Sequence, residues 1–222
     1  MIPPFVVVYS PRRTRISLTI RPEDGMLEVR APEGFPRSRI EAVLARNPEL
    51  IASLRKRGEA VRRQLPRFRF EEGEFFLLRG RWYPLKFSRR LLCFDEAFLV
   101  PAGTPEEVKK SLEKLYRQLA LSHLEQRTGE LAARFGITYR SIRIGGASGR
   151  WGSCSSDGNL NFTWRLIQCP DEVIDYVVIH ELAHRLELNH SDRFWAEVQR
   201  MCPDFEQHRA YLNENSLRYS GW

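Results

Sequence analysis

The sequence predicts an α+β protein, with a mostly β first part and a second part in which a few strands lead into a series of helices. Three observations carry that expectation. Period-2 alternation of apolar and polar residues recurs through the first hundred residues. A long helical pattern with clear start signals begins at Thr104. A strongly apolar helix, DEVIDYVVIHELAHRLEL, begins at Asp171.

The elements follow in order. TRISLTIRPEDGMLEVRAP alternates Ile16, Leu18 and Ile20 with polar residues, turns at Pro22–Gly25 and resumes with Leu27 and Val29, which is a hairpin pattern. Arg37 to about Gln64 reads as helix interrupted near Pro48, with Arg55, Lys56, Arg57, Arg62 and Arg63 on its exposed face. EFFLLRGRWYPLKF reads as a second hairpin turning at Arg79–Gly80, and a further strand pair runs to Val100. Thr104 is an N-cap, Pro105 fits the first turn, and Glu107 completes a capping box. That helix runs to about Arg134 and ends at Phe135–Gly136. Pro101-Ala102-Gly103 marks the expected domain boundary, separating a strand-rich basic region, 1–103, from a second domain, 104–222.

Downstream, Tyr139–Ile144 is a strand, and RWGSCSSDGNLNFTWRL reads as two strands around Ser155–Gly158. Pro170 stands where a helix begins, with Asp171 and Glu172 favourable in its first turn. That helix is expected to run to about Leu188 and to break at Asn189, a residue able to take a left-handed conformation. Ser191 caps SDRFWAEVQRMC, which stops at Pro203.

Composition narrows the class. The 222 residues are 42% hydrophobic and 28% charged, ordinary for a globular protein able to bury a core. No apolar run approaches the roughly 18 residues of a membrane span. The start, MIPPFVVVYSPRR, has neither basic residues ahead of its apolar patch nor a small-residue cleavage site. Cys93, Cys154, Cys169 and Cys202 form no C-x-x-C pair, as expected of thiols in a reducing cytoplasm. The net charge of +7 is uneven. Residues 1–100 carry 20 Lys+Arg and 12 Asp+Glu, whereas residues 101–222 carry 15 and 16. A basic first half can attract nucleic acid, nucleotides or acidic protein, or be a solvated surface.

The chemistry concentrates in HELAHRLELNHSDRFW, which holds three of the five histidines. His180 and His184 are four apart, so a helix puts them on one face with Cβ atoms about 5–6 Å apart. Two imidazoles so placed can share one metal at roughly 2.0–2.1 Å each. Glu181, beside the first histidine, can take a proton from a metal-bound water. His190 follows six residues after His184, the overall spacing of longer zinc motifs that carry a glycine where this chain has Glu187. His190 is therefore the expected third ligand, with Glu197 on the next helix as the alternative and Glu187 as a candidate outer partner. Cys154 is a weaker candidate, since three histidines suffice.

With RWGSCSSDGNLNFTWRL and DEVIDYVVIHELAH ahead of it, this stretch resembles the YgjP-like metallopeptidase domain, a relative of SprT-like proteases among the zincins. The resemblance is close over roughly residues 140–205. It implies a zincin-like fold, a small sheet over the metal helix with an edge strand bordering the cleft. It also implies His180, His184 and His190 as ligands of one zinc ion per chain, and Glu181 as general base. Gly149 and Phe162-Thr163 depart from the expected pattern near the cleft.

Four residues are candidate substrate contacts. Arg150 can bind an anionic group, Trp151 can wall the cleft together with Trp164, and the backbone at Gly152 and Ser153 can pair with an extended chain. Arg150 reads equally as part of a well-packed hairpin, and both tryptophans read more readily as core packing. His208 or Tyr211 could polarise a substrate oxygen. The expected activity is zinc-dependent hydrolysis of a peptide or protein. Two alternatives stand beside it: hydrolysis of a nucleoside triphosphate's phosphoanhydride, with Arg150 and the basic half on the phosphates, and a nucleic-acid or protein-binding module that delivers the zinc domain.

Overall fold

The computed structural model describes residues 3–11, 13–21, 25–64 and 67–219. The chain divides into two compact units, Met1–Pro66 and Arg67–Gly221. In the first, β1 (Phe5–Ser10), β2 (Ser17–Ile20) and β3 (Leu27–Pro32) form a sheet in the order β1-β3-β2. β2 and β3 are the antiparallel hairpin expected from the alternation, with Leu18 opposite Val29. Residues 22–24 of its turn lie outside the described residues. β1 pairs parallel to β3, so β3 is the central strand, and its Leu27, Val29 and Ala31 are fully buried. Pro48 disfavours helix at the residue before it, and the chain breaks at Asn47 between α1 (Arg37–Arg46) and α2 (Pro48–Gln64). Ile40, Leu44 and Ile51 from these helices complete the core with the sheet. Arg55, Lys56, Arg57 and Arg63 are exposed on α2, as expected, while the Arg62 side chain lies outside the described residues.

The second unit begins with a four-stranded sheet. β4 (Phe75–Leu78), β5 (Arg81–Ser88), β6 (Cys93–Phe94) and β7 (Phe98–Pro101) are arranged β4-β5-β7-β6. The β4–β5 hairpin turns at Arg79–Gly80, both with positive φ, the backbone a two-residue hairpin needs. The long helix α3 (Pro105–Phe135) starts on the expected capping box, with Thr104 and Glu107 each bonding the other's backbone N–H, and stops at a left-handed Gly136. β8 (Ser141–Gly145), β9 (Gly152–Cys154) and β10 (Asn159–Thr163) make a third small sheet in the order β8-β10-β9. A 3₁₀ turn over Trp164–Gln168 leads to α4 (Asp171–Ala183), α5 (Asp192–Met201) and α6 (Phe205–Asn215). Among the described residues no helix is long and apolar enough to cross a membrane. The α+β class is as expected, while α6 lies beyond the helices foreseen from the sequence.

The domain boundary expected at Pro101–Gly103 falls inside the second unit. α3 explains this, because it buries its residues against the strands that precede it as well as those that follow. The Tyr116 hydroxyl donates to the Leu77 carbonyl, and the Tyr116 ring lies 5.0 Å from Phe98 and 5.4 Å from Trp164. Trp164 is only 1% exposed, so it belongs to this core and walls no cleft.

Two ion pairs then fix α4. At its first turn, Arg79 of the β4–β5 turn makes a two-pronged bond to Asp171. One turn on, Arg127 of α3 holds Asp175 at 2.6 and 2.7 Å. Gly80 also lets that hairpin turn approach closely, since a Cβ there would lie 3.2 Å from Pro170 Cα. The helix they anchor is apolar nearly all round, with Val173, Ile174, Val178 and Leu182 buried.

Candidate metal centre

α4 presents His180 and Glu181 in its last turn and His184 as its C-cap. The helix ends at Ala183, earlier than the expected Leu188. Tight turns take over, with the N–H groups of Leu186 and Glu187 both donating to the Ala183 carbonyl. Asn189 is not left-handed: among the described residues the non-glycine positions with positive φ are Phe70, Arg79 and Glu96. The early stop has a use. It brings the Glu187 carbonyl to His184, whose Nδ1 donates to it at 3.2 Å. Glu187, a candidate outer partner in the sequence, thus meets His184 through its backbone carbonyl. With Nδ1 so bonded, the lone pair of His184 is on Nε2.

His190 returns on the turn before α5, and its Nε2 lies 3.1 Å from His180 Nε2. One ring nitrogen from each of His180, His184 and His190 falls within 4.8 Å of the others. Among the described residues this is the group of ligand-type side chains able to hold a metal. Two ring nitrogens at 3.1 Å must share a proton or face a cation. Tetrahedral zinc with Zn–N bonds of about 2.0–2.1 Å sets its ligand nitrogens about 3.3 Å apart, close to the 3.1 Å between His180 and His190, and three imidazoles are a donor set that suits that ion. Burial, followed by the charges of His184 and His190, pushes His180 down to about 3, and burial also lowers His184. The half-buried His180 and His184 are thereby favoured in the neutral form, the one that ligates metal.

All three rings rest on one side chain. Phe194, buried on α5 behind the Ser191 cap, lies 4.9 Å from His180, 4.5 Å from His184 and 4.7 Å from His190. In sequence it was one more apolar position of a helix. Glu197 lies apart from the cluster and is paired with Arg200 at 2.7 Å. Cys154 also lies apart, its Sγ 3.3 Å from the Ser155 carbonyl.

Glu181 is 4% exposed, and its Oε2 is buried with no hydrogen-bond partner among the described residues. Burial pushes its carboxyl up to about 8, against the opposing charge of Arg150. An orphaned carboxylate is costly, and a nearby cation would relieve it. Its other face is set by Gly152 of β9, the edge strand of its sheet. A Cβ there would lie 2.6 Å from Glu181 Oε1.

His180 and Glu181 open into a cavity of about 270 Å³. Three of the four expected substrate contacts, Arg150, Trp151 and Gly152, line it. Ser153 does not line it and sits opposite Asn161 within the sheet. Trp151 stands edge-on to Tyr219 at 5.8 Å. Of the two departures noted in the sequence, Phe162 is buried in the core, while Gly149 and Thr163 line a second cavity adjoining the first. His208 and Tyr211 are outside the first cavity: His208 faces Tyr176 at 6.2 Å, and the Tyr211 hydroxyl bonds that of Tyr219 at 2.6 Å. Tyr176, Arg209 and Asn213 line it instead. Tyr176 precedes His180 by one turn, so its spacing was a usable signal. Arg209 and Asn213 come from α6 and carried none.

Two solved structures are similar to part of the chain. The metallopeptidase zymogen abylysin of Pyrococcus abyssi is 22% identical over 43% of this chain and 96% of its own, with a TM-score of 0.40. The zymogen jannalysin of Methanocaldococcus jannaschii is 19% identical over 40% and 94%, with a TM-score of 0.34. No curated protein matches significantly. The YgjP-like metallopeptidase domain matches residues 14–215, from the first unit through the histidine cluster and α6, and the chain belongs to that family of metal-dependent hydrolases.

Proposed function

We propose that this chain is a zinc metallopeptidase in which His180, His184 and His190 hold one zinc ion and Glu181 is the general base. The observation that carries the reading is the pairing of three convergent imidazoles with a buried, unpartnered carboxyl oxygen on the same helix. When bound, zinc supplies Lewis acidity, acidifying a water and polarising the scissile carbonyl. Glu181 accepts the water's proton at Oε2 and then passes it to the leaving nitrogen, so one carboxyl serves both halves of the hydrolysis. Gly152 keeps that carboxyl in place, and the Glu187 carbonyl sets the tautomer of His184. Phe194 fixes the three rings with respect to one another. Trp151 and Arg150 contact the substrate from the segment leading into β9, whose free edge offers backbone groups to an extended peptide.

The test is a screen of the zinc-loaded protein against mixed peptides and nucleoside triphosphates. Peptide cleavage abolished by chelation and restored by zinc is the expected result. Zinc-dependent phosphate release with every peptide left intact would replace the reading with phosphoanhydride hydrolysis.

A further inference from the structure

We infer that the cavity beside the histidine cluster receives a carboxylate of the substrate between Arg150 and Arg209, so that preferred peptides carry an acidic group close to the bond that is cut. The inference deepens the metallopeptidase reading and rests on it.

Several arginines of this unit are already engaged by carboxylates. Arg79 holds Asp171, Arg127 holds Asp175, Arg117 holds Glu113 and Arg200 holds Glu197. Arg150 and Arg209, both exposed, form no ion pair or hydrogen bond with a carboxylate among the described residues, Arg150 acting on the buried Glu181 only through its charge, and both line the cavity that His180 and Glu181 open into. They come from different elements, the segment before β9 and α6, so the fold brings them to one space. Arg209 is also held. Its guanidinium carbon lies 4.9 Å from the centre of the Trp195 ring, and that ring is 5.8 Å from both His180 and His190. A guanidinium stacked on an aromatic face keeps its N–H donors free at its edge, in the fork that matches a carboxylate. Among the described residues Glu181 is the only acidic one lining the cavity, and it is almost fully buried. Two cations against one buried carboxyl leave a field that favours an incoming anion. That anion is a side-chain carboxylate or the C-terminal carboxylate of the peptide, which share the same chemistry.

The experiment measures binding on a protein that cannot cut. Zinc-loaded Glu181→Gln protein is titrated calorimetrically with N-acetylated, C-amidated peptides that differ only by Glu or Gln at one position. A Gln peptide with a free C-terminus and inorganic pyrophosphate complete the set. An acidic side chain or a free terminus should tighten binding about tenfold or more, the worth of a charge-assisted bond. The two arms say which carboxylate is used. The advantage should shrink with added salt and disappear when Arg209→Ala or Arg150→Ala is added. Arg209→Glu should turn the preference toward a lysine peptide. Equal binding of all the peptides, an advantage that survives both arginine variants, or tight pyrophosphate binding with no peptide bound would overturn the inference. Wild-type protein that cuts peptides without regard to acidity would also overturn it and leave the peptidase reading standing. Failure to cut any peptide would count against that reading instead, while the binding titration still decides the subsite.

Discussion

Gly152→Ala is a small change that reaches Glu181 without altering it. A Cβ at this position would lie 2.6 Å from Glu181 Oε1, 2.7 Å from Cγ and 2.9 Å from Cδ. Comfortable contacts between such atoms are about 3.5–4.0 Å, so each contact is short by about 1 Å. Rotating the carboxyl end alone relieves none of the Cγ contact, so the whole side chain or the edge strand has to move. Glu181 is only 4% exposed, and the one space it borders is the cavity it shares with His180, so a side chain pushed off Gly152 leaves its place beside the histidines. A displacement of about 1 Å in a reacting group can cost about 10²-fold in rate, and overpacking a full site costs about 1–3 kcal/mol. The expected variant keeps one zinc, melts several degrees lower and loses about 10²-fold in kcat/KM, chiefly through kcat.

The assay combines metal analysis, a thermal melt and peptidase kinetics on zinc-loaded protein. A double-mutant cycle with Glu181→Asp supplies the control. Aspartate is one methylene shorter and leaves room for the new methyl group, so adding Gly152→Ala to Glu181→Asp should cost much less than adding it to the wild type. Wild-type activity in Gly152→Ala, or an equal loss in both backgrounds, would refute the idea that Gly152 exists to seat this carboxyl.

Other expectations follow from the same geometry. Glu181→Gln should keep fold and zinc while activity falls about 10²–10⁴-fold, and activity within a few-fold of wild type removes Glu181 from the mechanism. Metal analysis of His190→Ala should find zinc lost and that of Glu197→Ala should find it kept, with the opposite pattern making Glu197 the ligand. The Arg79 guanidinium beside Asp171 holds its carboxyl below the usual range. Because that carboxyl is depressed in the folded state, its stabilisation is present above the unfolded value of about 3.9 and is lost as pH falls through the folded one. Wild type should therefore melt slightly above Asp171→Asn at neutral pH, and a gap that stays constant down to the most acid pH at which both fold would show that the ion pair is not its source.

What was legible in the sequence was what the chain encodes locally. Thr104 and Glu107 cap a helix through bonds three residues apart, Arg79–Gly80 closes a hairpin through its own dihedral angles, and His180 and His184 meet because four residues make about one turn. The parallel pairings of β1 with β3, β5 with β7 and β8 with β10 leave no such local mark, since their partners are chosen by the packing of whole elements. The α4 terminus shows one level overruling the other. RLEL is good helix-forming sequence, but the structure stops at Ala183 and spends Glu187 on the His184 ring through its carbonyl, a role any residue type can fill. The same split divides the site. A metal's demand for imidazole spaced along one chain segment would write the three proposed ligands into eleven consecutive residues. The cavity has no such requirement: Tyr176, Arg150 and Arg209 become neighbours only when α4, the β9 approach and α6 assemble. Reaction chemistry is therefore the part of such a protein that a sequence motif reports best. Substrate preference has to be sought in the walls, among cations that the fold leaves without partners.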